Sequence, residues 1–174
     1  MVKMEKRDAD RKQLLADAAI AVIGGDGLRA LTHRAVDTRA GLPQGTCSYH
    51  YPSRRALLAA ALERIAVLDR SETGGERDPT ALLTHWLSTA RARTRARLIL
   101  MLDPEARADL GDLADRLTQG FVDDAATLVG DRYKARLLVA LFDGLAADEL
   151  IRGDGTAAER RERVRAVFKA VAGA

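Results

Sequence analysis

The chain has one cysteine, four prolines and seven aromatic residues among its 174. Cys47 alone cannot form an internal disulfide, and no cysteine and histidine cluster has zinc-ligand spacing, so neither a disulfide framework nor a structural metal is expected. No uncharged apolar run reaches the eighteen or so residues that a membrane span requires. The opening residues, Met-Val-Lys-Met-Glu-Lys-Arg-Asp, lead into no cleavable apolar region. The expectation is therefore a cytoplasmic protein without membrane contact. Aromatic and β-branched residues are scarce whereas alanine, leucine and arginine abound, which favours helices because unbranched side chains lose little rotamer freedom there. An all-α fold is expected.

Charge of one sign is also lacking overall, with 28 lysines and arginines against 25 aspartates and glutamates. The distribution is more informative. Residues 1–70 carry a net +4 and residues 71–174 a net −1, so the basic excess is entirely N-terminal. The length suits one domain, or a small domain grafted onto a larger one.

From Asp8 to Gly24, Leu14, Leu15, Ala18, Ala19, Val22 and Ile23 recur at helical spacing, and Gly24, Gly25 and Gly27 are expected to stop this first helix. Thr32 can cap a second helix that turns Ala35, Val36 and the Arg39 stem inward, and Gly41 can end it in the left-handed conformation. Pro43 suits the first turn of a third helix reaching about Tyr49. Ser53 is an N-cap candidate for a long helix through Arg70, and Ser71 to Pro79 reads as a linker. Further helices are expected at about Thr80 to Arg91, Arg93 to Leu102, Pro104 to Val129, Asp131 to Ile151 and Ala157 to Val171. Asp103-Pro104, Gly130-Asp131 and Gly153-Asp154-Gly155 supply the breaks, giving about nine helices. Arg91, Arg93, Arg95 and Arg97 would spread over two sides of a helix, where a solvated face is the simplest reading.

Residues 31 to 58 have the layout of a helix-turn-helix: a short supporting helix, a glycine-containing turn and a second short helix able to project polar side chains into a major groove. Ala35, Val36, Ala40, Gly41 and Leu42 provide the small residue and the apolar anchors that this geometry requires.

Ala40-Gly41, Gly45-Thr46, Tyr49-His50-Tyr51 and Ser53-Arg54-Arg55-Ala56-Leu57-Leu58, in that order, resemble the DNA-binding half of the tetracycline-repressor (TetR) family. The first helix and its glycine-rich exit match as well, so the resemblance covers residues 9 to 68. Cys47 and Ser48 depart from the leucine and aromatic that many members carry. The resemblance implies an N-terminal three-helix bundle with a helix-turn-helix (residues 1–52) and a helical effector-binding and dimerisation domain (residues 53–174), joined by the 53–70 helix. It implies a homodimeric transcriptional regulator, a repressor released from a pseudo-palindromic double-stranded DNA operator by a small-molecule effector, and no cofactor.

Within that motif, Gln44 is the candidate for reading a base edge, since glutamine can bond adenine bidentately. Thr46 and Tyr49 offer hydroxyls to phosphates; Thr32, Arg34 and Arg54 are backbone-contact candidates at helix starts, and His50 a phosphate-adjacent one. Lys3, Lys6, Arg7, Arg11 and Lys12 form a basic arm that would add non-specific attraction. Cys47 lacks a neighbouring lysine cluster or a second cysteine that would make it a redox sensor.

The C-terminal half resembles the family more loosely, chiefly in residues 138 to 145. Ala140, Gly144 and Ala147 are small residues at helical spacing that would let a second subunit approach, with Leu137, Leu141, Leu145 and Phe168 filling the seam. His85, Trp86, Met101, Leu117 and Phe121 are candidate effector-pocket residues, with Arg95 or Asp124 as further polar groups; each could equally be core. A DNA-binding regulator without an effector remains an alternative. An enzyme or storage protein finds no support, because no phosphate loop, nucleophile elbow or metal pattern occurs.

Overall fold

A computed structural model of the chain describes residues 2–75, 78–153 and 156–172, and every regular element among them is helical. The elements are α1 (Val2–Asp26), α2 (His33–Ala40), α3 (Thr46–His50), α4 (Arg54–Gly75), α5 (Pro79–Leu87), α6 (Arg91–Leu102), α7 (Pro104–Leu110), α8 (Asp112–Val129), α9 (Arg132–Ile151) and α10 (Ala157–Ala172), with a 3-10 turn at Leu28–Ala30. Among the described residues ten α-helices replace the nine expected, because the 104–129 stretch divides at Gly111, whose φ of +53° interrupts the helix.

Local chemistry accounts for several boundaries. Thr32 Oγ1 accepts the Ala35 amide at 3.1 Å, Ser53 Oγ the Ala56 amide at 3.1 Å and Asp131 Oδ1 the Tyr133 amide at 2.7 Å, each filling an orphan helix-start donor. Gly41 takes φ +66° and ends α2.

Several boundaries differ from expectation. Helix α1 does not stop at Gly24 but runs through it to Asp26. The reason is tertiary: a Cβ on Gly24 would lie 2.0 Å from the Ala92 carbonyl oxygen, so glycine there serves a close crossing with α6. Helix α4 continues past Arg70 to Gly75 and replaces the first half of the expected linker, while residues 76–77 lie outside the described residues. Pro43 does not open the third helix. Its carbonyl accepts the Thr46 amide at 3.2 Å in a turn, and α3 starts only after Gly45. The expected break at Asp154-Gly155 also lies outside the described residues.

One apolar core joins the head of the molecule to its body. Leu15, Ala19 and Ile23 of α1 pack with Val36 of α2, Cys47 of α3 and Leu57, Leu58, Ala61 and Ile65 of α4, and the same cluster continues into Ala96 and Leu100 of α6 and Ala114 of α8. Each large aliphatic side chain buried in this way contributes about 1.5–3 kcal/mol. A second, smaller cluster gathers Leu83 and Leu87 of α5, Ala146 of α9 and Val164 of α10. Edge-to-face contacts of Phe142 with Trp86 (centroids 5.1 Å apart) and with Phe168 (6.2 Å) extend it.

Candidate nucleic-acid interface

Helices α2 and α3 are joined by five residues, Gly41 to Gly45, and packed through Val36 and Cys47, both fully buried. Gly45 stands at the N-cap of α3 with φ +96°, and having no side chain it cannot cap the helix itself. The missing cap comes from α2. Asp37, 1% exposed, accepts the Gly45 amide at 2.8 Å and the Cys47 amide at 2.7 Å, one on each carboxylate oxygen. Asp37 is not among the candidate residues expected from the sequence.

Cys47 sits against that carboxylate. Burial, reinforced by the negative charge of Asp37, pushes its thiol up to about 11, so the reactive thiolate is suppressed. With Cys47 turned inward, the remaining α3 side chains divide. Ser48 and Tyr49 are exposed, Tyr49 to 82%, and Thr46 is half-buried. Thr46 donates its hydroxyl to the Pro43 carbonyl at 2.7 Å. Gln44 lies in the turn before α3, exposed, with Nε2 donating to Thr38 Oγ1 at 3.3 Å.

The other candidates are placed unequally. Thr32 is exposed at the start of α2; its oxygen accepts the Ala35 amide, which leaves its O–H available to a phosphate. Arg34 is exposed beside it. Both line an open cleft of about 570 Å³ with Asp26, Thr38 and Arg39, where Arg39 pairs with Asp26 at 3.1 Å. Arg39 is exposed and its head is engaged in this pair. Arg54 is engaged elsewhere: its guanidinium donates to the carbonyls of Leu31 (3.1 Å) and Leu28 (3.3 Å), tying α4 to the 3-10 turn. His50 turns inward, its side chain 4% exposed and its Nδ1 3.5 Å from Asp8 of α1. The expected basic arm is the first part of α1, where Lys6, Arg7, Arg11 and Lys12 are exposed; the side chain of Lys3 lies outside the described residues.

The arginines of α6 do not form the solvated face expected. Arg91 and Arg95 are exposed, but Arg93 and Arg97 have side chains 12% and 13% exposed. Arg93 pairs with Asp69 (2.9 Å) and Glu72 of α4, and Arg97 with Asp69 (3.5 Å) and with Asp143 of α9 (3.0 Å). Arg97 also lies over the Trp86 ring, 4.9 Å from its centroid. Burial outweighs the two guanidiniums at Asp69 and pushes its carboxyl up to about 6. Burial alone would also raise Glu72, but hydrogen bonds from Arg93 and Trp86 hold it below the usual carboxylate range.

The five effector-pocket candidates have different neighbours. Trp86 packs on Phe142, Met101 and Leu117 pack against the larger core, and Phe121 lies under the Arg70 guanidinium, 5.4 Å away. His85 lies 3.2 Å from Glu72 and lines an open cleft of about 370 Å³ with Asp17, Leu68 and Arg93. Of the additional polar groups, Arg95 donates to the Gly24 carbonyl at 3.0 Å and Asp124 pairs with Arg70 at 2.8 Å.

The seam candidates also separate. Leu137, Ala140 and Gly144 face outward on α9, Leu141 is half-buried, and Leu145 and Phe168 pack into the smaller core. Nothing lies within 4 Å of a Cβ built on Gly144. Tyr133 (73% exposed) and Ile151 (78%) extend this outward stripe at both ends, at the helical spacing that the short sequence echo did not reach.

The architecture defines a class: a helix-turn-helix head carried on a larger all-helical body. Comparison with known families then identifies it. The C-terminal domain model of tetracyclin repressor-like proteins matches residues 75–174, and the model of the bacterial regulatory proteins of the tetR family matches residues 15–61. The chain belongs to the TetR family of DNA-binding transcriptional regulators, which are not enzymes. Comparison with curated proteins gives no match.

Among solved structures, a TetR-family member from Streptomyces coelicolor A3 is 27% identical, with a TM-score of 0.71 over 90% of this chain and 97% of that one. The multidrug binding protein EbrR in complex with imidazole is 26% identical, with a TM-score of 0.66 over 90% of this chain and 94% of that one. Its complex with proflavin is 28% identical, with a TM-score of 0.63 over 90% and 99%. No helix among the described residues is long and apolar enough to cross a membrane.

Proposed function

We propose that the chain is a homodimeric repressor, with residues 1–52 reading a pseudo-palindromic operator and residues 53–174 pairing the subunits and sensing a small-molecule effector in the cytoplasm. Tyr49, Thr32 and Arg34 set the register on phosphates, joined by Thr46 once its hydroxyl turns from the Pro43 carbonyl, and Gln44 reads a base edge once it leaves Thr38. The α9 stripe of Tyr133, Leu137, Ala140 and Gly144 meets the same stripe of a second copy, with Gly144 permitting close approach.

The observation that carries this reading is the double engagement of α6. One side of it meets the end of α1, through Gly24 against Ala92 and Arg95 on the Gly24 carbonyl. The other holds the ion pairs to α4 and α9 through Arg93 and Arg97. A ligand that binds the body better with α6 displaced moves α1, and with it the head, by its differential affinity for the two states. The small-molecule complexes of EbrR support a ligand-sensing body here.

The test is a thermal-shift screen beginning with imidazole and proflavin, followed by titration of DNA binding. A compound that raises the melting temperature and releases DNA over the same concentration range supports the proposal. Compounds that stabilise the protein but leave DNA bound contradict it. A second reading, a regulator without an effector, is favoured by the packing of Trp86, Met101 and Leu117 into the two cores, and a screen without stabilising compounds would support it.

A further inference from the structure

We infer that Asp37 is the positioning residue of the DNA-reading helix: from α2 its carboxylate supplies the N-terminal cap that α3 cannot make for itself. Helix α3 has five residues, and a helix so short is marginal without outside support. Its N-cap is a glycine, so the usual side-chain acceptor for the first amides is missing.

Asp37 fills that role with both oxygens, on the Gly45 amide at 2.8 Å and the Cys47 amide at 2.7 Å. Its own backbone carbonyl accepts the Leu42 amide at 3.0 Å, so one residue fixes both the exit from α2 and the start of α3. A carboxylate 1% exposed is tolerated because charge-assisted bonds and the positive end of a helix offset its lost hydration.

The consequence is directional. The clamp and the buried Cys47 hold one side of α3 against α2, which fixes the angle at which Thr46 and Tyr49 leave the other side. Removing the clamp frees α3 to pivot about Cys47. Phosphate attraction from the arginines survives such a pivot, whereas the alignment needed for base reading does not. Asp37 touches no DNA in this account, and its effect falls on discrimination between sequences.

The wild-type protein is first used to select a duplex from random-sequence DNA. Binding of wild type, Asp37→Asn and Asp37→Ala to that duplex and to its scrambled counterpart is then compared, well below each protein's melting temperature. Asparagine keeps the volume but presents an NH2 where one amide needs an acceptor. Affinity for the selected duplex should fall by about tenfold more than affinity for the scrambled duplex, which loses only the Thr46 and Tyr49 phosphate contacts.

Amide hydrogen exchange in the wild-type protein decides the clamp independently, should a variant fail to fold or no duplex be enriched. The Gly45 and Cys47 amides should be protected together with the helix interior. Full preference retained by a folded Asp37→Asn variant overturns the inference, as does exchange of the two amides at the rate of an exposed loop.

Discussion

Changing Gly24 to alanine tests the junction between head and body. The new Cβ would meet the Ala92 carbonyl oxygen at 2.0 Å and its carbonyl carbon at 2.7 Å, and both belong to backbone that no rotamer change can move aside. Overpacking of this kind costs about 1–3 kcal/mol, or more where a helix must shift. The gain from replacing a helical glycine is about 1 kcal/mol. Gly25, in the same helix, is the control, since a Cβ there meets nothing within 4 Å and alanine should stabilise. The propensity gain is common to both variants, so they should differ by the overpacking cost, roughly 1–3 kcal/mol, or about 2–12 °C in melting temperature for a domain of this size. Thermal circular dichroism of Gly24→Ala and Gly25→Ala measures the difference. If Gly24→Ala melts at or above Gly25→Ala, α6 is not seated on α1 as described.

Thr46→Ala and Tyr49→Ala should weaken binding to all DNA sequences and flatten its salt dependence, while Gln44→Ala should alter preference at particular base pairs by about 1–3 kcal/mol. Uniform losses in all three, read by titration against selected and scrambled duplexes, would refute that division of roles. Gly144→Leu should abolish subunit pairing in sedimentation analysis; a variant that still dimerises moves the seam elsewhere. Asp69 has a folded-state pKa of about 6, above its unfolded value, so its contribution to stability is complete below about pH 4 and is lost as the pH rises through 6. Relative to Asp69→Asn, wild type should lose ~2–3 kcal/mol between pH 4 and 7 in urea denaturation, and parallel profiles would contradict this.

Where neighbours in sequence determine the outcome, the chain was readable. The α2 cap at Thr32, its left-handed end at Gly41 and the α4 cap at Ser53 all rest on contacts spanning a few residues. Boundaries fixed by distant partners were hidden. Gly24 looks like a helix stop until Ala92 lies across it, and Arg93 and Arg97 look solvated until Asp69 and Asp143 face them. The recognition segment was legible as a motif, but the local partners of His50 and Arg54 were not, because Asp8 of α1 lies beside one and the 3-10 turn supplies carbonyls to the other. Asp37 had one available signal: a carboxylate next to the inward Val36, eight residues before a glycine that can supply no cap of its own.

The central claim is that two copies of the head read DNA together. Footprinting the wild-type protein on the duplex it enriches from random sequence tests this most directly. Two related, inverted half-sites with centres about 34–36 Å apart, or a multiple of that spacing, are the predicted result. Enrichment of a single half-site without symmetry, or of no sequence at all, would contradict it.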